Sequence, residues 1–138
     1  MVRIGNKLWR YSVATIFFLL LLIGCQSKGL DPQAADRATI DYIVNDLKGD
    51  LLKFDSSIEE IEKVKLTRQD DIPIALVDII YKDGSTSREF YYFNFEDIAR
   101  VYDFMAQQQD ATTEAIATSL SLSEQQVKYI QRIIAKIE

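Results

Sequence analysis

IPIALVDIIY (Ile72–Tyr81), KDG (Lys82–Gly84) and, after Ser85-Thr86-Ser87, REFYYFNF (Arg88–Phe95) form the stretch whose reading decides the fold. The first run is rich in strand-favouring residues and apolar on both faces apart from Asp78. Pro73 falls at its start, where a missing N–H does not harm a ladder. Lys82-Asp83-Gly84 is a strong turn signal between two apolar runs. Arg88–Phe95 carries Phe90, Tyr91, Tyr92, Phe93 and Phe95 and reads as a second strand. Loop length then sets the register of the hairpin. A two-residue loop at Asp83-Gly84 places Asp78 opposite Glu89, an unfavourable like-charge pair. A three-residue loop, with Gly84 left-handed, places Asp78 opposite Arg88. The second register is expected.

Outward from the hairpin, Val64 and Leu66 alternate with Lys63, Lys65 and Thr67 as in a strand with one wet face, and Gln69-Asp70-Asp71 turns the chain into Ile72. Further upstream, Asp31 as N-cap and Pro32 at the first helical position start a helix. Ile40, Ile43, Leu47, Leu51 and Phe54 stripe one face of it at spacings of 3, 4, 4 and 3. Gly49 marks a point where this helix kinks or frays, and its end is expected near Asp55-Ser56-Ser57, although Ile58 and Ile61 fall where they would extend the stripe. Downstream, Asn94 caps a helix with Phe95, Ile98, Val101, Tyr102 and Met105 on one face. Thr112 or Asp110 caps a short helix through Leu120, and Ser123 with Gln126 forms a capping box for a last helix. The fold class is α+β: an N-terminal helix, a three-stranded antiparallel meander and C-terminal helices.

The first 25 residues follow a different logic. Arg3, Lys7 and Arg10 form a basic start, Val13 to Ile23 is apolar apart from Thr15, and Leu22-Ile23-Gly24-Cys25 ends on the chain's single cysteine. Tyr11 to Gly24 is 14 residues, short of the roughly 20 needed to cross a hydrocarbon core. The segment resembles the signal peptide and lipobox of bacterial lipoproteins. The resemblance implies removal of residues 1–24 and acylation of Cys25, which anchors the chain in the membrane on its extracytoplasmic face. Residues 25–31 then form a short tether and 32–138 a single domain. Gln26-Ser27-Lys28-Gly29-Leu30 at ~3.5 Å per residue reaches under about 20 Å, so the domain is expected to work near the membrane.

Loss of residues 1–24 takes three of 16 basic residues and none of the 21 acidic ones, leaving a net charge of −8. Such a surface opposes bulk electrostatic binding of nucleic acid or anionic lipid. With no histidine, the usual general base, zinc ligand and pH switch are missing. The pairs Glu59-Glu60, Asp70-Asp71 and Glu96-Asp97 are adjacent in sequence and read as solvated surface, and no phosphate loop, nucleophile elbow or metal-ligand spacing occurs.

Thr113–Ile130, with Glu114, Ile116-Ala117, Leu120, Leu122, Ser123, Val127 and Ile130, resembles the helix-turn-helix of bacterial regulators. That family presents its second helix to the major groove, here Gln125, Gln126, Lys128, Tyr129 and Arg132. Residues 111–138 carry three basic and three acidic side chains, so the hairpin is expected to be a packing unit with Val127, Ile130 and Ile134 inward and Gln125, Lys128, Tyr129 and Arg132 on the surface. No nucleic-acid partner and no cofactor is expected. Some phage superinfection-exclusion lipoproteins also carry helix-turn-helix units at the cell surface and block incoming DNA, a similarity of architecture.

The Phe90–Phe95 run is greasy on both sides of its strand, which predicts cover on both faces, by the first helix and by the C-terminal helices. The alternative leaves one face, Phe90/Tyr92 or Tyr91/Phe93, open as a platform for a peptide or hydrophobic ligand. The expected function is a non-enzymatic envelope lipoprotein that binds or shields a protein or peptide near the membrane, of immunity or exclusion type. The alternative is an anchored accessory subunit of an envelope transport or secretion complex.

Overall fold

The computed structural model describes residues 29–137; the leader, the lipobox and Cys25 lie outside the described residues. The order is α1 (Pro32–Asn45), α2 (Leu47–Phe54), β1 (Ile58–Gln69), β2 (Ile72–Tyr81), β3 (Thr86–Tyr92), α3 (Phe95–Gln107), α4 (Thr113–Leu120) and α5 (Glu124–Ile137). The strands form one antiparallel sheet in the order β1-β2-β3, an α+β fold with a meander as expected. Among the described residues no helix is long and apolar enough to cross a membrane.

The β2–β3 hairpin takes the charge-matched register. Asp78 faces Arg88, and the guanidinium donates to both carboxylate oxygens, Nε to Oδ1 at 2.7 Å and Nη2 to Oδ2 at 3.3 Å. Gly84 N–H donates to the Tyr81 carbonyl at 2.9 Å and Tyr81 N–H to the Ser85 carbonyl at 2.8 Å, closing a loop of Lys82, Asp83 and Gly84. Gly84 sits at φ +88°, where a side chain would be strained. β3 ends earlier than expected: Phe93 and Asn94 leave the sheet and Phe95 already opens α3. The cause is local, since Asn94 Oδ1 accepts from Asp97 N–H at 2.8 Å and so fixes the helix start.

β1 begins at Ile58, ahead of the Lys63–Thr67 alternation, and takes in Ile58 and Ile61 that the helical stripe would have claimed. Ile58 pairs with Tyr81, Ile61 with Ile79 and Val64 with Val77, and register shifts fall between Ile58 and Glu60 and between Ile61 and Lys63. Each shift is a bulge that inserts one unpaired residue, Glu59 and then Glu62, so residues three apart face the same side. A spacing that mimics a helix is thereby accommodated in a strand. The β1–β2 turn is Asp70-Asp71, with φ of 51° and 65°, the two-residue left-handed turn whose twist suits a hairpin and which Asp tolerates better than bulkier residues.

The first helix breaks at Asp46, three residues before Gly49. Its stripe is nonetheless the core. Ile43, Leu47 and Leu51 are buried together with Tyr42, Ala35 and Ala38, each large apolar side chain contributing about 1.5–3 kcal/mol of transfer free energy. α1 and α2 lie on β1, α1 also touches β2, α5 packs along α1, and α3 and α4 pack on α5. Thr112 caps α4 through Ala115 N–H at 3.1 Å, and Ser123 caps α5 through Gln126 N–H at 3.0 Å.

A Cβ at Gly49 meets nothing within 4 Å, and the residue is exposed inside α2. Gly49→Ala is therefore expected to stabilise the protein by about 0.5–1 kcal/mol through backbone entropy alone. Chemical denaturation measures it; a loss of stability would show that α2 depends on a conformation alanine resists.

Candidate functional site

Alternation along β3 divides the four aromatics expected at a binding platform. Phe90 is 66% exposed and Tyr92 54%, while Phe93 is 2% exposed and Tyr91 half-buried. The expectation of cover on both faces is therefore corrected. Pro73, Ala75, Val77 and Ile79 of β2 are buried beneath the helices, whereas of the residues pointing the other way Leu76, Asp78 and Ile80 are only half-buried and Ile74 is buried. The register identifies their neighbours: Leu76 lies between Lys65 and Phe90, Ile74 between Thr67 and Tyr92, and Asp78 between Lys63 and Arg88. The open face is thus an apolar strip, Phe90, Tyr92, Leu76 and Ile80, edged by Lys63, Lys65 and the Asp78–Arg88 pair.

Tyr91 and Phe93 turn instead to an interior aromatic cluster centred on Tyr129 of α5. Ring centroids lie 6.1 Å from Tyr91, 5.9 Å from Phe93, 5.9 Å from Phe54 and 6.5 Å from Tyr42. Tyr129 was expected at the surface and is 2% exposed. α5 meets α1, α2, α3 and α4 at once, so its buried arc is wider than the stripe of Val127, Ile130 and Ile134 and takes in the flank. Burial pushes the Tyr129 phenol up, partly offset by the Gln125 amide, which donates to its oxygen at 2.8 Å. Burial, with Tyr129 and Glu89 nearby, also raises Tyr91, to about 12.

Beneath the cluster, Asp50 is 6% exposed. Its Oδ2 accepts from the Tyr42 hydroxyl at 2.8 Å and from Arg132 Nε at 3.0 Å. Arg132 stays at the surface as expected, its side chain half exposed, but its guanidinium is engaged by a carboxylate of the domain itself. The other α5 cations are engaged too: Lys128 Nζ sits 5.4 Å from the Phe54 ring centroid, and Lys136 Nζ lies 2.7 Å from Asp46 and 3.4 Å from Asp41. The helix-turn-helix hairpin is present, with its bend at Ser121 (φ 58°), but its second helix turns its basic side chains to α1 and α2.

Beside β3 lies a cavity of about 450 Å³ lined by Phe90, Tyr91, Tyr92, Asn94, Asp97 and residues Ser121–Ser123 and Gln126. Sequence reasoning marked the aromatics of this wall and missed the α4–α5 turn opposite them, whose only signal was the cap at Ser123. No group of three or more metal-ligating side chains occurs among the described residues. Comparison with protein-family models, with curated proteins and with solved structures finds no match for the chain.

Interior and exterior aromatics are expected to separate on substitution. Tyr129→Ala should cost about 3–5 kcal/mol, as for other large core rings, whereas Phe90→Ala should stay within about 0.5 kcal/mol. Equal losses in urea denaturation would mean that Phe90 packs as core.

The Asp78 carboxyl is held below its ordinary value, chiefly by the hydrogen bond from Arg88 and then by the charges of Arg88 and Lys63. A depressed folded value means that its pairing persists through the usual carboxylate range and is lost only as pH falls through the lowered value. In an NMR titration Asp78 should titrate below pH 3.8, and Arg88→Ala should raise that midpoint. An unmoved midpoint would dissociate the pair.

Proposed function

We propose that the chain is a lipid-anchored protein of the bacterial cell envelope that binds or shields a protein or peptide partner close to the membrane, without catalysing a reaction, in the manner of immunity or exclusion lipoproteins. The observation that carries the binding role is the open sheet face, where Phe90 and Tyr92 stay in water although their strand neighbours Tyr91 and Phe93 are drawn into the core. Two large rings exposed side by side on a rigid sheet mark an interaction surface better than scattered apolar residues do. The anchoring part rests on the lipobox Leu22-Ile23-Gly24-Cys25. A DNA-binding role finds little support in α5, because Lys128, Arg132 and Lys136 all have partners within the domain and a reader of DNA needs its cations free to meet phosphates.

Cys25→Ser tests the anchor, since acyl chains hold a protein at the membrane by roughly 0.8 kcal/mol per buried CH₂. Metabolic labelling with an alkynyl palmitate should mark the wild type and not the variant; equal label in both overturns the anchor. Phe90→Ala combined with Tyr92→Ala tests the surface. The pair should weaken capture of the envelope partner by about tenfold or more, each ring contributing on the scale of an interface anchor, with circular dichroism unchanged. Undiminished capture removes this face from the function.

A further inference from the structure

β3 is an edge strand. Among the described residues β2 alone pairs with it, and no helix lies along its outer side. The Tyr81–Ser85 bond sets the phase of the ladder. In an antiparallel pair, bonded and non-bonded positions alternate, so Ser87, Glu89 and Tyr91 direct their N–H and C=O groups to β2. Thr86, Arg88, Phe90 and Tyr92 direct theirs outward. The residues with free backbone groups are therefore the same ones whose side chains stand on the open face.

β3 also borders the cavity of about 450 Å³ that Phe90 and Tyr92 line together with Leu122 of the α4–α5 turn and Gln126. That volume lies in the range of ligand clefts. It has room for a few residues of a single extended strand. Asp97 is the charged residue that lines it; its 3.5 Å contact is to Arg100, whose guanidinium also donates to the Leu120 carbonyl at 2.7 Å. Beside the cavity, Glu89, exposed on the helix side of β3, has no ion-pair partner among the described residues. Arg88, the cation of this strand, is already held by Asp78.

We propose that the outer edge of β3 accepts an extended peptide as a fourth, antiparallel strand, which runs between β3 and the α4–α5 turn. Its alternate residues are apolar, stacking on Phe90 and Tyr92, and the intervening ones are basic, facing Glu89 and Asp97. The backbone supplies affinity and the alternation supplies selectivity, as in other cases of strand addition. The inference rests on the docking role of Phe90 and Tyr92 and deepens it by naming the chemistry of the partner.

The probe is the fluorescently labelled peptide acetyl-Ser-Val-Lys-Val-Lys-Val-Lys-Val-Ser-amide, titrated against the full chain in detergent by fluorescence anisotropy. Three of its four valines fall opposite Arg88, Phe90 and Tyr92, so N-methylation of the valine amides should weaken binding by at least about tenfold, whereas N-methylation of the lysine amides, which point away, should change it less than about twofold. Phe90→Pro removes an outward N–H that β2 does not use, a position where proline is tolerated, and should abolish binding with circular dichroism unchanged. Equal binding of the two methylated peptides, or no saturation by about 1 mM, overturns strand addition. If partner capture nonetheless still falls on Phe90→Ala with Tyr92→Ala, the docking role stands alone. If neither capture nor peptide binding responds to those two substitutions, both readings fall. Self-association of the full chain that Phe90→Pro abolishes, without peptide binding, replaces the peptide by a second copy.

Discussion

The carboxylate of Asp50 is enclosed between Tyr42 and Arg132, and a single oxygen accepts from both. A buried carboxylate without partners costs several kcal/mol, so α5 must dock in the one register that brings Arg132 to Asp50, 82 residues away in sequence. Tyr42 and Arg132 respond in kind. Burial, reinforced by Asp50, raises the Tyr42 phenol far above its ordinary value, and Asp50 raises Arg132, which favours the donor form of both. Once α5 is seated, Tyr129, one turn earlier, lies among Tyr42, Phe54, Tyr91 and Phe93. α5, the end of β3 and the first two helices are thus held together by the Asp50 contact, by the ion pairs of Lys136 with Asp41 and Asp46 and by the ring cluster.

That locking decides which surfaces remain for other molecules. The side of α5 that a DNA-binding hairpin would offer carries Lys128, Arg132 and Lys136, and each faces α1 or α2. On the inner face of β3, Tyr129 covers Tyr91, while Glu89 stays exposed. What stays accessible is the opposite face of the sheet, with Phe90 and Tyr92, and the outer edge of the same strand. An exposed edge beside apolar side chains invites unplanned pairing. Arg88 and Glu89, in the middle of β3, place charge where an indiscriminate apolar strand would have to lie.

Much of the fold was legible because local signals agreed with one another. Asn94, Thr112 and Ser123 cap the helices they precede, and the charge of Asp78 was enough to choose the hairpin register. Failures came where tertiary structure supplied the reason. Ile58 and Ile61 sit at helical spacing, and only two bulges, invisible without the pairing partner, turn them to one face of a strand. Tyr129 lies off the apolar stripe of its helix and is buried because rings from the first two helices and the sheet end converge there. Asp50 resembled any other helix-surface acid until Tyr42 and Arg132 closed on it. The binding aromatics were identified as a group, but their division into inner and outer pairs depended on a sheet with helices on one side only, and composition alone argued for two.

Glu59 and Glu62, the two residues of β1 without partners in β2, also bear on how the chain length of this strand can vary in evolution. Pairing resumes with the same facing residues on either side of each, so loss of either glutamate leaves Ile58, Ile61 and Val64 directed at the core and changes mainly the local twist, which bulges increase. A deletion elsewhere in the strand reverses every side chain beyond it. β1 therefore has two positions at which a single-codon deletion preserves the interior, in a strand where such a change is otherwise disruptive.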